Sequence, residues 1–185
     1  MSIPTPAPTT TPPTTHDTTI QPALAILSTL RHILQKAESS HPNPQSLLSS
    51  RLHETMYALP DQIRCLTQFT EYLAARLSAR EPTTLFAGVA PASWTEIYER
   101  IQKAQDILNS LDKGVVNEQG VTLKPTPRGP AAPVVDMSGA AYASVIVLPN
   151  IYFHLVTIYA ILRSQGVELG KMDYYQGFFP MQGGW

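Results

Sequence analysis

Apolar and polar positions along the chain recur with the 3.6-residue period of amphipathic helices. Ile20, Leu24, Leu27, Leu34 and Ala37 share one face, with Pro22 in the first turn and Thr18 or Thr19 as cap, so a first helix is expected over residues 20–39. Ser-Ser-His-Pro-Asn-Pro (39–44) ends it, because closely spaced prolines cannot continue a helix. A second helix is expected from Pro44 or Gln45 to about Ala79. Its stripe is Leu52, Met56, Leu59, Ile63, Leu66, Thr70, Leu73 and Leu77. Pro60 falls mid-stripe; it lacks an N–H and its ring collides with the Met56 carbonyl, which predicts a kink and with it a pocket wall. After a Pro- and Gly-bearing loop at 81–92, Ser93 and Glu96 form a capping box for a third helix over 94–111, with Trp94, Ile97, Ile101, Ala104 and Leu108 inward and Gly114 as terminator. Residues 115–133 change character. The run Gly120-Val121-Thr122-Leu123-Lys124, flanked by prolines, predicts a small strand or hairpin outside the helices. The last helix starts at its cap, Ser138, and runs to Ser164. Pro149 either kinks or divides it, and Gly166 marks its end.

That last helix carries no charge from Ser138 to Leu162, long enough to span a bilayer. Pro149, Asn150 and His154 would then lie near mid-membrane with sparse flanking charge, and apolar residues cover every side of the wheel. The pattern is that of a central core helix of a soluble bundle. Four such helices with short connections predict an all-α four-helix bundle. A length of 185 residues, 43% hydrophobic and 15% charged, fits one domain over 20–185. Residues 1–19, dominated by Pro and Thr, are expected to form a disordered tail. The net charge of −1 offers no basic field, which excludes nucleic acid and anionic membrane as expected partners. A lone cysteine, Cys65, and the lack of a signal-peptide pattern point to the reducing cytoplasm.

The segment Leu-Pro-Asn-Ile-Tyr-Phe-His-Leu-Val-Thr-Ile-Tyr-Ala-Ile-Leu-Arg (148–163), with Gly166-Val167, Leu169-Gly170-Lys171 and Asp173-Tyr174, resembles the C-terminal signature of an uncharacterised family, the domain-of-unknown-function family nineteen ninety-three. Its members resemble the DinB/YfiT-like four-helix proteins. Supporting segments are Ile33-Leu34 with Lys36-Ala37-Glu38, then Leu48, Arg51-Leu52, Met56 and Gln62, then Glu96, Arg100-Ile101 and Lys103. The similarity covers about residues 19–176. It implies a DinB-like bundle and no particular reaction. Wider DinB-like proteins hold a divalent metal with three histidines, one from the second helix and an HxxxH pair later. Here the position four beyond His154 is Ile158, so half of that pair is missing.

Candidate chemistry centres on His154. Gln62 lies in the rows of Leu59 and Leu66 and should point inward, where a buried amide needs partners; His154, Tyr57, Tyr152 and Tyr159 are the available ones. A histidine so placed could transfer a proton to or from a substrate, with Gln62 and Tyr57 as companions and Tyr152, Tyr159, Met56, Asp61 and His53 lining the pocket. The alternative is a Gln-His-Tyr network that only sets helix register. A metal site from His53 and His154 with Glu54 or Asp61 is less favoured, because neither histidine sits in a ligand-spaced motif. No cofactor is otherwise indicated. Cys65 beside Arg64 reads as packing, Ser138-Gly139 is no nucleophile elbow, and Gly166 to Lys171 has the wrong length for a phosphate loop. The aromatic segment 174–185 is expected to be a lid, a homodimer seam or simple packing. The expectation is a small-molecule enzyme of specialised metabolism, of isomerase, cyclase or dehydratase type, using His154. The alternatives are a non-catalytic ligand-binding or stress-related protein and a metal-dependent transferase.

Overall fold

The structure, a computed structural model, describes residues 12–127 and 132–182. Seven helices and one hairpin follow in order: α1 (Thr15–Ser40), α2 (Leu59–Leu77), α3 (Trp94–Asn109), α4 (Lys113–Val121), β1 (Leu123–Thr126), β2 (Val135–Ser138), α5 (Gly139–Tyr142), α6 (Leu148–Ser164) and α7 (Lys171–Tyr175). The four longest form a ring: α2 lies between α3 and α6, and α1 touches the same two from the other side. The expected faces meet at the centre, where Ile26, Leu30, Ile33, Leu66, Leu73, Ile97, Ile101, Leu155 and Ile158 are fully buried. Burying a side chain of that size is worth about 1.5–3 kcal/mol, so this core supplies the main driving force for the fold.

Several boundaries differ from expectation, each for a local reason. α1 begins at Thr15, not Ile20. The Thr14 hydroxyl accepts from the Asp17 N–H while the Asp17 carboxylate accepts from the Thr14 N–H, a capping box inside the expected tail. Pro22 is therefore interior to α1 and not in its first turn. The rest of the expected tail, residues 1–11, lies outside the described residues.

The second helix is shorter than its apolar stripe. Residues 44–49 form a 3₁₀ turn (Pro44–Ser49), an irregular stretch follows, and α2 starts only at Leu59. Pro60 sits in the first turn, where a missing N–H costs nothing, so it starts the helix and does not kink it. Leu52 is correspondingly exposed.

Gly114 terminates nothing. Asp112 caps a further short helix, α4, by accepting from the Val115 N–H, and Gly120 falls inside that helix and outside the hairpin. β1 and β2 pair antiparallel from Leu123 opposite Ser138 to Thr126 opposite Val135. Ser138 then caps α5 as expected, its hydroxyl accepting from the Ala141 N–H.

Pro149 does not divide the last helix, which is continuous from Gly139 to Ser164. The ladder slips instead through a π turn (Ala143–Val147), in which the Leu148 N–H donates to the Ala143 carbonyl, and Asn150 Nδ2 donates to the Ile146 carbonyl at 2.6 Å. Helix–turn re-registration just before proline absorbs its missing donor. Gly166, at φ +86, adopts the left-handed terminator its position predicted. By length and composition this helix could cross a membrane, but its inner face, with Ile151, Leu155, Ile158, Ile161 and Leu162, is buried against the other helices.

Candidate functional site

The expected inward turn of Gln62 occurs. It is 2% exposed, and Nε2 donates to the Tyr57 carbonyl at 3.2 Å, which leaves Oε1 aimed at α6. There His154 Nδ1 lies 2.7 Å from that oxygen. An amide oxygen only accepts, so Nδ1 carries the proton and Nε2 carries the lone pair. Nε2 reaches the surface without a hydrogen-bond partner among the described residues. The ring is framed by aromatics: Phe69 of α2 stacks on it with centroids 6.4 Å apart, and Phe153 meets it edge-on at 5.3 Å.

His154 is 8% exposed, and desolvation, assisted by the nearby Arg64 charge, lowers its pKa to about 4. It is therefore a neutral imidazole at physiological pH. Arg64 is itself held by Asp61, with Nε to Oδ1 at 3.1 Å, and lies over the Tyr57 ring. Tyr57 thus joins through its carbonyl while its ring is exposed. The kink expected at Pro60 as a pocket wall does not form, since α2 starts at Leu59. The surface beside His154 is a seam between α2 and α6.

The other expected residues go elsewhere. Tyr152 stacks on Phe178, and the Tyr159 hydroxyl donates to the Leu169 carbonyl at 3.2 Å, so both serve the C-terminal segment. His53 and Glu54 are exposed in the irregular stretch before α2, where His53 Nδ1 pairs with the Thr55 hydroxyl at 2.9 Å. Met56 is half-buried in the same stretch. No group of three His, Cys, Asp or Glu side chains able to hold a metal occurs among the described residues, and the position an HxxxH pair would need is Ile158, fully buried in the core. Cys65 is half-buried, and desolvation raises its thiol pKa against the pull of Arg64, which disfavours the reactive thiolate.

The C-terminal signature has a structural job that periodicity could not reveal. Asp173 accepts from Lys36 Nζ at 2.9 Å and from the Gly170 N–H at 2.8 Å, and pairs with His32 Nε2 at 2.9 Å, which straps α7 to α1. Desolvation opposes its ionisation, but these donors prevail and hold its pKa near about 2. Further on, the Gly177 N–H donates to the Thr29 hydroxyl at 3.0 Å, and that hydroxyl donates to the Tyr174 carbonyl at 3.0 Å. Up to Phe178 the aromatic tail packs onto the helices; its last three residues lie outside those described. An open apolar hollow of about 750 Å³ lies beside α7, lined by Lys171, Met172, Tyr175 and Phe179.

This arrangement can be compared with known proteins. No curated protein shows significant similarity to the chain. A crystal structure of a DinB family member from Shewanella denitrificans is 26% identical, with a TM-score of 0.74 over 86% of this chain and 90% of that one. The model for a domain of unknown function (DUF1993) matches residues 15–175, from the start of α1 to the end of α7. The chain accordingly belongs to the DUF1993 family and is DinB-like in fold.

Proposed function

We propose that this four-helix protein is a cytoplasmic small-molecule-binding protein whose ligand sits on the α2/α6 seam and donates a hydrogen bond to Nε2 of His154. The observation that carries this reading is the 2.7 Å His154–Gln62 contact, which commits the imidazole to one tautomer and leaves its lone pair outward. Phe69 and Phe153 flank that acceptor, so the matching ligand is apolar or aromatic with one neutral donor, such as a phenolic O–H or an amide N–H. A group with a pKa of about 4 does not serve as a proton donor at neutral pH. An isomerase- or cyclase-type role would use His154 only as a base, and a weak one. Binding is the better-supported reading, and it needs no metal.

Phenol is a suitable probe. Titrated into protein with ¹⁵N-labelled histidine, it should shift the His154 Nε2 resonance, and His154→Ala should weaken binding roughly tenfold, the value of one good hydrogen bond with its desolvated partner. Phenol binding that leaves the Nε2 resonance unmoved, or that survives His154→Ala undiminished, would remove this function.

A further inference from the structure

Among the described residues, the outer face of the uncharged helix has no partner. Val145, Pro149, Phe153, Val156 and Ala160 recur at the i, i+4, i+8, i+11, i+15 spacing of one helical row. Val145 is 64% exposed, Phe153 57% and Val156 50%. Beside this row runs the outer side of α2, with Arg64, Gln68, Phe69, Tyr72 and Arg76, none of them fully exposed. The apolar α6 row and the aromatic and arginine-bearing α2 row lie side by side, and among the described residues of this face arginine is the only cation and Asp61, already paired with Arg64, the only acid. Protein interfaces are enriched in aromatics and arginine and depleted of lysine and glutamate. A contiguous apolar patch of this kind marks a contact site.

We infer that the α2/α6 face is an isologous interface between two copies of this chain. In a two-fold contact each surface meets itself, so a charged face would set like charges against each other. This one does not. The α6 row is uncharged, Arg64 is neutralised by Asp61, and Arg76 is drawn onto the Met137 carbonyl and over the Tyr142 ring. Size points to a small, reversible contact. The α6 row from 145 to 160 is about 22 Å long, and with α2 beside it the face is about 20 Å wide. That projection is on the order of 450 Å² on each copy, about 900 Å² for the pair, which is the range of weak, reversible complexes. A bilayer is the weaker occupant, because the two arginines that flank the row are already engaged, Arg64 by Asp61 and Arg76 by the Met137 carbonyl, and are not turned out to headgroups. The inference does not rest on the ligand reading, although such a dimer encloses the His154 seam.

The test is the solution mass of the full chain by light scattering over micromolar concentrations. Two copies of the 20.3 kDa chain are expected. Val145→Glu with Val156→Glu places acids against acids across the two-fold and should raise the dissociation constant roughly tenfold or more, with helical circular dichroism unchanged. If the double variant loses helix, Val156→Glu alone is read instead. A wild-type chain that stays at one copy overturns the inference, whether it is free, bound to phosphatidylcholine vesicles or bound to a different protein. So does a dimer that the glutamates leave intact. Neither variant changes His154, Gln62, Phe69 or Phe153, so failure here and failure of the phenol test are separate results.

Discussion

Gly177 shows how much one missing atom decides. Its backbone crosses α1 so closely that an added Cβ would overlap the Ala25 carbonyl oxygen and lie 2.7 Å from the Thr29 backbone nitrogen. Both are helix backbone and cannot give way. Gly177→Ala should therefore destabilise the protein by roughly 1–3 kcal/mol, the usual cost of overpacking, and expose Tyr174 and Phe178. Urea unfolding followed by tyrosine fluorescence measures both. Nothing in the pattern around Gly177 distinguishes it from a loop glycine, because the constraint comes from a helix 148 positions away in the chain. The Gln62–His154 pair is the opposite case. Its inward direction was legible from the rows of Leu59 and Leu66, since helical spacing fixes which residues share a face. Which tyrosines would join it was not.

At the scale of an element, the end of α2 carries a correctable strain. Ala79 has φ 56, while the Arg80 N–H closes back onto the Ala75 carbonyl at 3.1 Å as in a glycine-terminated helix. A non-glycine residue pays about 1 kcal/mol to enter that conformation. Ala79→Gly should stabilise the protein by about 0.5–1 kcal/mol, read as a higher urea midpoint at unchanged slope. What holds the chain in this costly turn is the Glu71 carboxylate, 1% exposed, which pairs with both Arg80 nitrogens and accepts from the Thr83 N–H at 2.7 Å. The same scale explains why α2 is shorter than expected. The stripe from Leu52 to Leu77 satisfies a helical period throughout, but a proline prefers the first turn of a helix to its middle, and the chain took that option at Leu59.

For the whole molecule, two titratable groups, one buried and one partly buried, set the response to acid. The folded-state pKa of His154 lies near about 4, below its ordinary 6.5, so the unfolded chain binds the proton first. Its contribution is fully present above pH 6.5 and is lost as pH falls toward 4, by up to roughly 3 kcal/mol. Asp173, held near about 2, adds a second loss below its ordinary 3.8, when the strap to α1 lets go. Thermal midpoints against pH should therefore fall in two stages. In His154→Asn the first stage should vanish even if the midpoint at pH 7 is lower; a first stage that persists would mean another group controls it.

Local and periodic properties were settled by the sequence itself: four principal helices, their inward faces, the caps at Ser93 and Ser138, the terminator at Gly166, the family signature, and the pairing tendency of Gln62. All of these follow from interactions within a few residues or from the repeat of a helix. The tertiary structure alone decided that Pro60 opens a helix, that a π turn absorbs Pro149, that Tyr152 and Tyr159 serve the tail while His154 stays neutral, and that one face of an uncharged helix is left uncovered. Those outcomes depend on which surfaces remain after the four helices have buried one another, and desolvation and close approach are properties of the assembled core.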